Sequence, residues 1–128
     1  MRIKMEYFGL EHFMDLTEIV SADDQFLENA VEILEKELDN HELSVDRFAK
    51  ELAMSRVQLH RKMKAIIGCS ASEFIRQYRI KKANEYLKAG KGSVSEIAYS
   101  VGFNNLSYFT KSFKEVYKIN PSEVQEMS

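Results

Sequence analysis

The apolar positions between Ser93 and Lys118 fall at helical spacing in two short runs separated by a turn. Ser93 is a helix-capping residue with Glu96 three positions on, the pair that forms a reciprocal capping box. Ile97, Ala98 and Val101 follow on one face, and Gly102, tolerant of positive φ, ends the run. Asn105 is a second cap, after which Phe109, Phe113 and Val116 form one apolar stripe. The pattern predicts helix, tight turn, helix, with Leu106, Ser107, Thr110, Lys111 and Lys114 facing outward. Taken alone, such a helix reads first as an ordinary solvated amphipathic helix.

The same pattern occurs a second time. Ser44–Gly68 overlays the first helix at an offset of 49, with Ser44 on Ser93, Phe48 on Ile97, Ala49 on Ala98 and Leu52 on Val101. The second helices overlay at an offset of 50, with Ser55 on Asn105, Leu59 on Phe109, Arg61 on Lys111, Met63 on Phe113 and Lys64 on Lys114. The change of offset falls in the turn, where an extra residue costs least. Two copies are too few for a solenoid and suit two like subdomains.

Between the copies, Ser70 or Ser72 is expected to start a long helix reaching about Ala89 and closed by Gly90. Phe74, Ile75 and Tyr78 face one way, and Ile80, Ala83 and Leu87 roughly the opposite way. A helix that changes its apolar face midway fits a spacer that packs one subdomain at each end. Arg76, Arg79, Lys81, Lys82 and Lys88 are expected to be mostly solvated or locally paired. Upstream, Ser21 or Asp23 caps a helix to about Asn40, with the stripe Leu27, Val31, Leu34 and Leu38, expected to pack on its own domain rather than to dimerise. Leu10, Phe13, Leu16 and Val20 suggest an amphipathic turn or two, so residues 1–22 are assigned as a tail or linker, 23–43 as a lead-in helix and 44–128 as the main domain. In the core of the first copy belong Phe48, Leu52, Leu59, Met63, Ile66 and Ile67. The only proline, Pro121, suits the first turn of a short final helix. The expected fold is all-α: two helix-turn-helix subdomains, 44–68 and 93–118, joined by a long spacer helix.

A net charge of −2 over 128 residues conceals a split. Residues 1–43 hold 3 Lys+Arg against 12 Asp+Glu, a net of −9, whereas residues 44–118 hold 15 against 6, a net of +9. A basic block carrying two helix-turn-helix units points to a polyanionic partner. The single Cys69 allows no internal disulfide and, with no secretory leader or membrane-length apolar run in view, leads us to expect a cytoplasmic protein. His12, His41 and His60 lie far apart, and no HExxH, Cys/His metal spacing or Gly-rich phosphate loop occurs. No enzyme activity, metal or cofactor is therefore expected.

The run FIRQYRIKKANEYL, followed by VSEIAYSVGFNNLSYFTKSFKEVYKINPSE, closely resembles the C-terminal DNA-binding domain of the AraC/XylS family of bacterial transcription regulators. The likeness covers about Leu43 to Glu123 and includes the pattern IA-x-x-x-GF-x-x-x-x-YF-x-x-x-FK. Residues 21–43 look like the lead-in helix of AraC-type output domains of response regulators and hybrid sensor kinases. The aromatic-basic ending usual after the proline is replaced by Val124, Gln125 and Glu126, and there is no room for a sugar-binding or receiver domain.

The resemblance implies that the second helix of each motif enters a major groove of double-stranded DNA, the two insertions about one helical turn, ~34 Å, apart. It assigns base reading to Val57, Gln58, His60 and Arg61 in the first motif and to Leu106, Ser107, Thr110 and Lys111 in the second. Phosphate contact falls to Ser55, Lys62, Lys64, Asn104, Tyr108 and Lys114. The chemistry agrees: Arg or Lys bonds guanine O6/N7, Gln pairs with adenine, and Val or Leu touches a thymine methyl. RNA polymerase, a receiver or sensor domain, or a second copy of the chain are the further partners it implies. The alternative is a protein-interaction module on the same fold.

Overall fold

The computed structural model describes residues 2–4, 13–15 and 22–128 of the chain. Seven helices run through them: α1 Ala22–Lys36, α2 Val45–Glu51, α3 Arg56–Ile66, α4 Ala71–Lys88, α5 Val94–Ser100, α6 Leu106–Tyr117 and α7 Pro121–Glu126. Among the described residues the only sheet is a short antiparallel ladder, β1 Arg2–Lys4 with β2 Phe13–Asp15, in which Ile3 stands opposite Met14. The fold is all-α, as expected: two helix-turn-helix subdomains joined by a long helix. Phe13, expected in an amphipathic turn, stands instead in β2. A helical pattern of so few residues is marginal, and strand pairing satisfies the backbone there instead. Leu10, Leu16, Val20 and the candidate cap Ser21 lie outside the described residues.

The chain divides into two compact units. One holds residues 1–37 and 43–75, the other residues 38–42 and 76–128. In the first, α1 buries Phe26, Leu27, Ala30 and Leu34. The expected stripe is shifted, because Val31 is only half-buried and α1 ends at Lys36 rather than near Asn40. Glu35, Glu37 and Asp39 crowd the negative end of that helix, which disfavours its continuation. Leu38 leaves α1 and is buried in the second unit. Ser44 caps α2 by accepting the Arg47 amide at 3.1 Å, and α2 buries Phe48 and Ala49. Phe48 stacks on Phe74 of α4, ring centroids 6.4 Å apart. Leu59, Met63 and Ile67 complete this core. Leu52 and Ile66, also expected there, are half-buried; they sit at helix ends, where cover is incomplete. Full burial of each apolar side chain contributes about 1.5–3 kcal/mol.

Ser70 starts α4 by accepting the Glu73 amide at 3.2 Å. Ala71, Phe74 and Ile75 serve the first unit, and Ile80, Ala83 and Leu87 the second. Tyr78, expected with the former, belongs to the second. There α5 buries Ile97 and Ala98, and α6 buries Phe109 and Phe113. Phe103, Phe109, Phe113 and Tyr117 form a run of rings with successive centroids 5.2, 5.9 and 5.0 Å apart. The capping box expected at Ser93 is present, and its hydrogen bonds hold the Glu96 carboxyl below its ordinary pKa. Pro121 opens α7 as expected, and Gln125 donates to the Gly92 carbonyl at 2.5 Å. Among the described residues no helix is long and apolar enough to cross a membrane, and no cluster of His, Cys, Asp or Glu is arranged to hold a metal.

Candidate nucleic-acid interface

The turns of the two helix pairs are closed by matching hydrogen bonds. At the end of α2 the Ala53 and Met54 amides donate to the Lys50 and Ala49 carbonyls at 3.0 and 2.9 Å. At the end of α5 the Gly102 and Phe103 amides donate to the Tyr99 and Ala98 carbonyls, both at 3.0 Å. Each turn is closed by one residue in the left-handed region, Ala53 at φ 57° and Gly102 at φ 97°, the usual way a helix reverses into a turn. The next helix is then capped: Ser55 accepts the Gln58 amide at 3.1 Å, and Asn105 accepts the Tyr108 amide at 2.8 Å. Turn and cap together fix where α3 and α6 begin.

On α3, Val57 is 59% exposed, and His60, Arg61 and Lys64 are exposed as well, opposite buried Leu59 and Met63. Gln58 has a second task, because its Oε1 accepts the Ser55 amide at 2.8 Å and completes a capping box. Its NH2 is left as the outward donor. Lys62 is turned toward α1, its Nζ 3.6 Å from Asp23 and 5.4 Å above the centre of the Phe26 ring. Arg56 pairs with Asp46 at 3.3 Å across the surface, an exposed pair of little energetic weight. On α6, Leu106 is 40% and Tyr108 52% exposed; Ser107, Lys111 and Lys114 are exposed, as is Asn104 ahead of the helix. Thr110 is half-buried. The structure thus gathers Ser55, Val57, Gln58, His60, Arg61 and Lys64 on the outward side of α3. It gathers Leu106, Ser107, Lys111 and Lys114 on that of α6.

Residues 48–127 match the helix-turn-helix domain family. The chain belongs to that family. It is a DNA-binding domain of the AraC type, the domain of transcription regulators. Histidine kinase P4 of Formosa agariphila is 35% identical over 127 residues, 98% of this chain but 9% of that protein. The transcriptional regulator MtrA of Neisseria gonorrhoeae is 33% identical over 96 residues, 73% of this chain and 32% of that regulator. The chain therefore spans less than a third of either relative's length. The solved C-terminal domain of the response regulator yesN from Fusobacterium nucleatum superposes with a TM-score of 0.70 at 26% identity, over 79% of this chain and 98% of that one. An AraC-type regulator from Chromobacterium violaceum gives a TM-score of 0.74 at 27% identity, over 84% and 96%.

Within this AraC-type domain two side chains have tasks beyond those their sequence positions suggest. Gln58 was expected only to read a base, yet Ser55-x-x-Gln58 has the same capping spacing as Ser93-x-x-Glu96. Arg79 is one of the five basic residues of α4, which are expected to be mostly solvated or locally paired. It is 7% exposed and donates to two backbone carbonyls, those of Gly102 and Asn40. Its neighbours Arg76 and Lys81 follow the expectation better, pairing with Glu115 and Glu85 at 3.3 and 3.2 Å.

Proposed function

We propose that this chain is the DNA-reading output end of a longer bacterial signalling regulator, working in the cytoplasm with a sensor or receiver domain upstream and RNA polymerase as its target. One chain reads two successive major grooves of one duplex through α3 and α6. The observation that carries this reading is the repeated unit itself: twice, a closed left-handed turn and a capped start present a polar, basic helix face to solvent. Arg61 offers a planar fork for a guanine edge, and Val57 and Leu106 are exposed apolar groups suited to thymine methyls. Ser107, Thr110, Lys111, His60 and the Gln58 NH2 are the remaining base-facing groups. Lys64 and Lys114 lie a turn further along, where they anchor phosphates, helped by Ser55, Asn104 and Tyr108. Lys62 joins them after exchanging Asp23 for a phosphate.

Selection of bound sites from a random duplex pool, followed by titration of variants at several salt concentrations, tests this. Arg61→Ala should cost about 1–3 kcal/mol on the selected site and relax preference at one base pair, whereas Lys64→Ala and Lys114→Ala should weaken all duplexes alike and lower the salt slope by about one unit. If Arg61→Ala weakens every sequence equally, α3 is an anchor and not a reader. If binding to duplex DNA shows no steep salt dependence, the chain is a protein-interaction module on the same fold.

A further inference from the structure

Arg79 lies in the interior of the second unit, where one guanidinium joins two distant pieces of chain. Its Nη1 donates to the Gly102 carbonyl at 2.5 Å and its Nη2 to the Asn40 carbonyl at 2.7 Å. Gly102 closes the turn that leads into α6, and Asn40 lies in the segment that leaves α1. A Cβ added at Gly102 would fall on this guanidinium and on the Leu38 carbonyl oxygen, so all three meet without slack. Leu38 is itself buried, and residues 38–42 belong to this unit although α1 belongs to the other.

We propose that Arg79 is a positioning residue: by holding both carbonyls it sets where α6 begins and makes that position depend on the segment that follows α1. The proposal rests on the reading of α6 as a DNA-contacting helix. A guanidinium presents its donors in a rigid planar fork, so two carbonyls bonded to it are fixed relative to each other. Gly102 lies three residues before the cap Asn105, and the intervening Phe103 packs its ring on Phe109, 5.2 Å away. A shift of the Gly102 carbonyl is therefore passed to the start of α6, where Leu106 and Ser107 stand. Residues 38–42 follow α1 in the chain, yet they belong with α6. Lysine, a point charge on a flexible stem, cannot hold both carbonyls in this geometry.

The test uses the 128-residue chain, a duplex selected by it from a random pool, and two perturbations: Arg79→Lys, and one glycine inserted after Asp39. Affinity is measured for the selected duplex and its single-base variants, and backbone amide exchange is measured at residues 102–110 without DNA. Each perturbation should weaken binding about tenfold, the scale of a lost hydrogen bond to a charged group. Each should flatten preference at the base pairs that Lys111→Ala also alters, leave the preference altered by Arg61→Ala intact, and speed exchange at residues 103–108. A lower melting temperature with base preference unchanged, or an equal loss in both halves of the site, would overturn the proposal. Should Arg79→Lys fail to fold, the insertion decides, since it keeps every side chain. Should the unsubstituted chain bind no duplex at all, the reading of α6 falls; unchanged amide exchange in the variants would then overturn the positioning role independently.

Discussion

Replacing Gly102 by alanine should be the costliest small substitution in either turn, and the structure says by how much. Gly102 sits at φ 97°, where an L side chain costs about 1–2 kcal/mol. The added methyl would land on the Arg79 guanidinium and the Leu38 carbonyl oxygen, so one of them must move. The group most free to yield is the guanidinium, and its departure from the Gly102 carbonyl forfeits a charge-assisted hydrogen bond of about 1.5–3 kcal/mol. Together these give about 2.5–5 kcal/mol, a large share of the ~5–15 kcal/mol that holds a typical domain together. Gly68 supplies the control: its φ is 86°, but an added Cβ meets nothing within 4 Å among the described residues. Gly68→Ala should therefore cost only the backbone part, about 1–2 kcal/mol. Urea unfolding of the two variants, followed by circular dichroism, measures the difference directly. Equal losses would show that the close approach of Arg79 and Leu38 to Gly102 contributes nothing.

Three further outcomes follow from groups placed elsewhere. Ala53 adopts φ 57° in the first turn, so Ala53→Gly should relieve about 1–2 kcal/mol of strain, offset by about 0.5–1 kcal/mol of glycine entropy; a lower melting temperature would refute this. The Ser112 hydroxyl is buried in α6 with no hydrogen-bond partner among the described residues, so Ser112→Ala should raise stability by about 1 kcal/mol, read in the same urea titration. Any loss there would mean the hydroxyl is satisfied in solution. Burial and the nearby Glu73 push the Cys69 thiol above its ordinary pKa despite the opposing Lys64. Iodoacetamide at pH 8 should then modify Cys69 more slowly in the folded chain than in urea, and stability should fall as pH rises through the thiol range, because the unfolded chain releases that proton first. Equal alkylation rates would contradict it.

What the sequence made legible was what repeats locally. The caps at Ser44, Ser55, Ser93 and Asn105, the outward positions of α3 and α6, and the two-faced α4 are all set by residues within a turn or two of each other. The offset of 49 even placed Ala53 beneath Gly102, which is enough to assign it the same left-handed backbone; alanine simply gives no compositional hint of it. The end of α1 was missed for a different reason. Leu38 continues the spacing of Leu27 and Leu34, but its burial is against residues far along the chain, which periodicity does not see.

Arg79 is the instructive case, because half of its signal was present. Ile75 precedes it by four residues and Ala83 follows by four, both buried, so its neighbours a turn away on either side are apolar. A helix that buries residues on opposite sides leaves little surface for five basic side chains. Which carbonyls it would meet was not readable, since they belong to residues 23 and 39 positions away and to backbone, which carries no sequence mark. A buried guanidinium is expensive unless its donors are satisfied. Its presence here implies that Gly102 and Asn40 must keep their carbonyls turned toward it for this unit to fold. The turn that leads into α6 is thus tied to a buried side chain of α4, and on the reading proposed above the DNA-facing residues of α6 depend on it.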